Sequence, residues 1–318
     1  MLVLSESDVE SLVDMNAALC AVRMAFRALQ DGKARDLAKQ RVASHGTTLH
    51  AIGAVFGDGL PGAPWSGAKI YVSGAGLTHW VLLFGTEGLE ALVSGGTLGR
   101  LRTGAASGVS AELLAAPDAA SLGLLGAGRQ AWTQVQAVAS VRPLDRVTVW
   151  SRTRARAAEL AERITRELGI AATATDRPAK AVRGHDVVVA ISKASEPILS
   201  GREVADRAHV VLAGSSHAHR READAELFRR ARSVYVDDLT VAREHSGDLL
   251  AAAAEGALDW ARVAPIGAAE QHAASGITVF KSNGIGSLDV ALAALAVERA
   301  RGQRVGIEVS QGIRTGKN

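Results

Sequence analysis

The chain has 318 residues, 47% hydrophobic and 22% charged, with a formal net charge of +3; this is a globular balance, and the length suits two domains better than one. No run approaches the roughly 18 apolar residues of a membrane-spanning helix, and dispersed Lys and Arg with only 4% aromatics argue against a nucleic-acid partner. The start "MLVLSESDVE" carries acids where a secretory leader carries Lys or Arg, and the single cysteine, Cys20, excludes an internal disulfide. A cytoplasmic protein is expected, with Cys20 as a small core residue of its helix.

Residues 5–32 read as one or two helices, opened by the Ser5 to Asp8 spacing and closed by Gly32. From Lys39 to Gly96, short runs such as "HAIGAVF", "GAKIYVSG", "THWVLLFG" and "GLEALVSG", separated by turn residues, predict a small, mostly antiparallel sheet. "LRTGAASGVSAELLA" reads as a helix rich in Ala and Gly that Pro117 ends. Strand and helix then alternate, with strands at "LGLLG", "RVTVWS", "DVVVAIS", "HVVLAGS" and "SVYVDD". Helices are expected at "TRARAAELAERITRELG", "DAELFRRA" and "TVAREHSGDLLAAAAEG". That rhythm predicts an α/β fold with a doubly wound parallel sheet of the Rossmann type. The Ala-rich helix "SLDVALAALAVERARGQ" differs in texture and is expected to rejoin the first domain. The boundaries expected are 1–116 with 288–318 for one domain and 117–287 for the Rossmann domain; disorder is expected only in the last few residues.

The most chemical stretch is "SLGLLGAGRQAW". Gly126-Ala127-Gly128-Arg129-Gln130-Ala131 is G-x-G-x-x-A between a strand and a helix. Gly126 permits the tight turn, Gly128 lets backbone amides approach a pyrophosphate, and Ala131 allows helix and strand to pack. At the end of the second strand stand Ser151, Arg152 and Thr153, where an NAD-specific domain usually carries an acid. Arginine and hydroxyls suit a 2′-phosphate, so NADPH is the expected cofactor, with NADH the alternative; a solvated surface arginine is the plain reading of Arg152.

Lys69 in "GAKIYV", Arg102 in "GRLRTGAASG", and "EPIL", "READ" and "GITVFKSNG" together resemble the ornithine cyclodeaminase and mu-crystallin family over nearly the whole chain. The resemblance implies a substrate and dimerisation domain of α+β type made from both chain ends, a Rossmann domain between them, and a homodimer. It implies one of several activities: cyclodeamination of ornithine, alanine dehydrogenation, or reduction of cyclic ketimine acids such as pyrroline-2-carboxylate. It assigns Arg41, Lys69 and Arg102 to a substrate carboxylate, with Lys69 also a candidate proton relay. It adds Thr103, Arg129, Gln130, Arg156, Ser192, Gly214 and Asn283 to the cofactor-facing set of Gly126, Gly128, Ser151, Arg152 and Thr153.

One departure is informative. The cyclodeaminases carry an aspartate after the fourth Rossmann strand, and the position falls here on Ser216, a poor base without an activating partner. The resemblance therefore favours an NADPH-dependent reductase of a cyclic imino acid in proline-type metabolism, with Ser216 and Asn283 as polar groups near substrate or nicotinamide. An NAD-retaining ornithine or lysine cyclodeaminase, an amino-acid dehydrogenase and a non-enzymatic NADPH-binding protein are the alternatives. His217 and His219, at i and i+2, are expected to point apart and to hold no metal; His45, His50 and His79 have no assignable role. The expected partner is a small imino or amino acid, with no membrane.

Overall fold

The capping pattern at the start of the chain forms as its spacing predicts. In the computed structural model, which describes residues 1–73, 79–270 and 276–310, Ser5 caps α1 (Glu6–Leu12): its hydroxyl accepts from Asp8 N, and the Asp8 carboxylate accepts from Ser5 N. Asp14 caps α2 (Met15–Gln30), and Gly32 at φ +71° follows its end. β1 (Leu2–Leu4) precedes these helices; β2 (Ala34–Ser44), β3 (Thr47–Phe56), β4 (Trp65–Ser73), β5 (His79–Gly85), β6 (Gly88–Ser94) and α3 (Gly95–Leu114) follow. The chain continues through β7 (Ser121–Leu125), α4 (Ala131–Ala139), β8 (Arg146–Trp150), α5 (Arg154–Leu168), β9 (Ala171–Thr175), β10 (Val187–Ala190) and β11 (His209–Leu212). Then come α6 (Ala225–Arg230), β12 (Ala231–Val236), α7 (Leu239–His245), α8 (Gly247–Ala254), β13 (Val263–Pro265), β14 (Ile277–Lys281), α9 (Gly286–Gln303) and β15 (Ile307–Glu308).

The chain divides into two units, one of residues 1–99 with those from Gly286 onward, the other of residues 100–285. The division falls inside α3, upstream of the Pro117 where the sequence reading draws it. In the first unit a seven-stranded sheet runs β15-β1-β6-β5-β4-β3-β2. It is antiparallel except where β1 lies beside β6. The mostly antiparallel sheet expected from sequence is present, widened by β1 and β15, which are too short to show a pattern. α9 packs across β3, β4 and β5, and Ile52, Phe56, Val81, Leu83 and Val93 are buried. A Cβ on Gly286 would stand 2.2 Å from Gly53 O, so α9 begins at backbone distance from β3. On the other face Leu37, Val42, Leu49, Val55, Ile70 and Phe84 are 38–70% exposed.

The second unit is an eight-stranded sheet in the order β13-β12-β14-β11-β10-β7-β8-β9, with every neighbouring pair parallel. The chain leaves β7 to one side through β8 and β9, then crosses to the other side at β10. That reversal is the switch point at which such sheets open a crevice beyond their carboxyl ends. β7, β10, β11 and β14 are buried along their whole length, which is why the first three are mostly apolar in sequence.

Several expectations are corrected. β9 (AATAT) and β13 (VAP) lack the apolar signal because they are edge strands, and "ITVFK", taken only as a motif, is β14 at the heart of the sheet. "TVAREHSGDLLAAAAEG" is two helices broken at Ser246, where a Cβ on Gly247 would stand 2.1 Å from Arg220 O. Cys20 is exposed, not core; it shares the helical stripe of Asn16, Arg23 and Arg27, which also face solvent, while Leu19 and Ala21 beside it are buried. The expected disordered end falls on 311–318, outside the described residues.

α3 also starts six residues earlier than the sequence suggests, because a distant side chain supplies its cap. Glu6 accepts from Gly96 N and Thr97 N, both at 2.7 Å, and from the hydroxyls of Ser94 and Thr97. Burial would raise this carboxyl, but the Ser94, Thr97 and Gly96 donors outweigh it and hold the pKa at about 2. A depressed carboxyl stabilises the fold above its unfolded value of 4.5 and loses that contribution as pH falls toward 2. Glu6→Gln is expected to lower stability by about 1–2 kcal/mol at pH 7. In urea unfolding measured across pH, that gap should close below pH 4.5.

Candidate active site

The glycine-spaced turn lies at the carboxyl end of β7. Gly126 has φ +127°, and a Cβ there would stand 2.5 Å from Ile191 O, so both conformation and space demand glycine. Gly128 differs: a Cβ would meet nothing within 4 Å. Its open side, and the start of α4, where Gln130 makes no side-chain cap, fit backbone amides facing a phosphate. Ala131 is buried, as its packing role requires.

Arg129, Arg152, Thr153 and Arg156 are exposed. Ala127, Gly128, Arg129 and Arg156 line an open cavity of about 380 Å³ with Glu159, Leu160 and Arg163. Ser151 Oγ accepts from Thr153 N at 3.3 Å, shaping the turn after β8. No carboxylate contacts Arg152 among the described residues.

The loops after β10 and β11 are tied together by a residue that the sequence reading left as a motif letter, Glu222 of "READ". One carboxylate oxygen accepts from Ser192 N and Ser192 Oγ, both at 2.7 Å, and the other accepts from Gly214 N at 2.8 Å. A Cβ on Gly214 would stand 2.3 Å from Ser192 N, so the loops touch at backbone distance. Asp248 accepts from the amides of Glu222 and Ala223 at 2.6 and 3.0 Å and pairs with Lys281 at 2.9 Å; Lys281 also donates to Ser215 O. Glu222, Asp248 and Lys281 are all buried. Burial pushes the Glu222 carboxyl up, Lys281 pulls it down, and the Asp248 charge pushes it up again.

Arg102 lies beside the segment that follows β14 and carries Asn283. A Cβ on Gly284, at φ +75°, would stand 2.7 Å from an Arg102 guanidinium nitrogen, so glycine is the residue that admits this side chain. Asn283 N, Gly284 N and Ser282 Oγ all donate to Asp237, and the Asn283 amide nitrogen donates to Val241 O. Thr103 is buried in α3 and Ser216 half-buried after β11. The expectation that His217 and His219 point apart is corrected: their rings lie 5.4 Å apart at 46°, because the segment is a turn and not a strand. No group of three or more metal-type ligands gathers among the described residues.

In the first unit Lys69, on β4, is buried and bound to Asp289 of α9 at 2.7 Å, with Asp289 wholly enclosed. Arg41, half-buried on β2, is opposite His50. Sequence reasoning could not find Asp289, Glu222 or Asp248, because each meets its partner only after folding.

A parallel sheet with this turn, and with arginines in place of an acid after its second strand, defines a Rossmann dinucleotide-binding protein. The model of the ornithine cyclodeaminase/mu-crystallin family matches residues 1–304, and the chain belongs to that family. The structure is similar to that of Thermococcus litoralis Delta(1)-pyrroline-2-carboxylate reductase in complex with NADH and L-proline (28% identity, TM-score 0.90, 97% of this chain and 100% of that one). It is also similar to an archaeal alanine dehydrogenase dimer with bound NAD (27%, TM-score 0.89, 98% and 99%). In sequence it is 33% identical to ketimine reductase mu-crystallin of Mus musculus over 220 residues, 69% of this chain and 68% of that protein.

Glu222→Gln removes one acceptor and turns an amide N–H against a donor in one of the two loops. The expected result is a dinucleotide Kd raised about tenfold, read from nicotinamide fluorescence, with kcat changed less than KM for the nucleotide.

Proposed function

We propose that this protein is an NADPH-dependent reductase of cyclic imino acids such as pyrroline-2-carboxylate or piperideine-2-carboxylate, giving the cyclic L-amino acid. The observation that carries the reading is Arg152, exposed at the end of β8 and without a carboxylate partner among the described residues. Two further points support it: the likeness to reductases of such imino acids, and Ser216 where a cyclodeaminase would carry its aspartate. The turn at Gly126 and Gly128, with Arg129, Gln130, Ser151, Arg152, Thr153 and Arg156, holds the nucleotide. Ser192 and Gly214, fixed by Glu222, and Thr103 and Asn283 complete its surroundings.

Bound nicotinamide supplies the hydride for the carbon of the C=N bond, and a proton on the nitrogen completes the CH–NH product. The chain's task is orientation. Lys69, Arg41 and Arg102 hold the substrate carboxylate, and Asp289 fixes the direction of the Lys69 ammonium. Ser216 supplies a polar contact and no base.

A dehydrogenase acting on an open-chain amino acid is the second reading, favoured by the whole-chain likeness to the archaeal alanine dehydrogenase. That relative is a dimer, and the open apolar face of β2, β3, β4 and β5 supports a homodimer here. We also assign the protein to the cytoplasm, in keeping with its single cysteine.

Absorbance at the nicotinamide band with a panel of cyclic imino acids, and with pyruvate plus ammonium, separates the two readings; ammonia release from ornithine reports a cyclodeaminase. Wild type is expected to prefer NADPH. Arg152→Ala should raise the NADPH KM about tenfold or more while NADH changes by about twofold at most; equal effects on both would remove Arg152 from the site. Arg102→Ala should lower turnover about a hundredfold, the loss of a charged hydrogen bond to substrate, with nucleotide Kd unchanged.

A further inference from the structure

Two of the three histidines without a sequence role, His50 and His79, come together on one row of the first unit's sheet. Register aligns Arg41 of β2, His50 of β3, Tyr71 of β4 and His79 of β5. The His50 and Tyr71 rings are parallel with centroids 4.4 Å apart, and His79 lies 4.7 Å beyond Tyr71. Lys69 Nζ stands 5.9 Å from the Tyr71 centroid. A row of this kind beside a buried lysine is a wall of polar edges, not a hydrophobic core.

Within the row His50 is the anomaly. Its side chain is 8% exposed, and Nε2 is bonded to Ser73 Oγ at 2.9 Å. Nδ1 is buried and has no hydrogen-bond partner among the described residues. Buried ring nitrogens are ordinarily paired, and one that the chain leaves unpaired calls for a partner from outside it, a water or a ligand. The charges that act on this ring are Arg41 and Lys39, both positive; with burial, the largest cause, they push the imidazole below its usual pKa. A neutral imidazole has one N–H. Ser73 Oγ can donate to Nε2 or accept from it; in the tautomer in which it donates, the ring hydrogen sits on Nδ1, and a donor among cations calls for an anionic acceptor.

We propose that His50, through Nδ1–H, is a substrate-binding residue that donates to a carboxylate oxygen beside Arg41. The assignment rests on the imino-acid reading for the identity of that carboxylate, and on the first unit alone for the site. It also gives Tyr71 a task, that of holding the ring by stacking, while Ser73 holds the Nε2 edge in place.

The test uses the full chain and pyrrole-2-carboxylate, a flat acid that cannot be reduced in this way, with binding followed by calorimetry. His50→Phe keeps the stacked ring and removes both nitrogens. Its Kd for the acid should rise about tenfold, the size expected of one hydrogen bond to a charged group. His50→Gln, whose amide can donate, should recover part of that loss. NADPH affinity and melting temperature should stay at wild-type values in both. Unchanged acid binding in His50→Phe overturns the proposal, as does an equal loss for NADPH, or a wild type that binds no carboxylate. If wild type binds the acid and His50→Phe does not, yet no cyclic imino acid is reduced, the binding role stands and the reductase reading falls.

Discussion

Glu222, Asp248 and Lys281 are ionisable groups placed where almost no water reaches them, and the arrangement of the loops after β10 and β11 depends on that placement. A buried charge is tolerated only when its partners replace water, and here the partners are loop N–H groups, a hydroxyl, the Ser215 carbonyl and other members of the set. The consequence is geometric. Two segments that leave neighbouring strands, at Ser192 and Gly214, cannot drift apart without stripping a carboxylate of its donors. Rigidity at the carboxyl end of a parallel sheet is what a bound cofactor requires, since orientation is the main thing a protein adds to hydride chemistry.

The first unit repeats the principle with one pair. Lys69 and Asp289 are 220 residues apart in sequence and 2.7 Å apart in space, which makes α9 part of the sheet's chemistry as well as its cover. A lysine in this position is held by its counter-charge before any ligand arrives, so its ammonium is already aimed. The same pairing means that removing Lys69 acts on stability, since it takes a buried counter-charge from Asp289.

Much of this was legible in the sequence. The Ser5 cap, the alternation of strand and helix after residue 121, and the glycine turn are local signals, written within a few residues of the structure they produce. The parts that were not legible are those decided at a distance. Glu6 extends α3 from across the unit; β14 does not declare itself because the buried Thr278 and Lys281 interrupt its apolar run; β9 and β13 are edges with little apolar surface to declare them. Cys20 sits in an apolar word, but the helix turns it outward. The cations expected from family likeness are present, and their partners, Asp289 above all, appear only when the chain folds back on itself. His50 is the extreme case: an unremarked residue becomes distinctive once its second nitrogen is seen to lack a partner.

A unit assembled from both ends of a chain has a consequence for synthesis. Residues 1–99 leave the ribosome with a sheet whose covering helix, α9, is still uncoded in the exit tunnel's future. The Rossmann unit, continuous from 100 to 285, emerges in between and has everything it needs. Until α9 is made, the sheet lacks the helix that packs across β3, β4 and β5, the state in which chaperones meet unfinished chains.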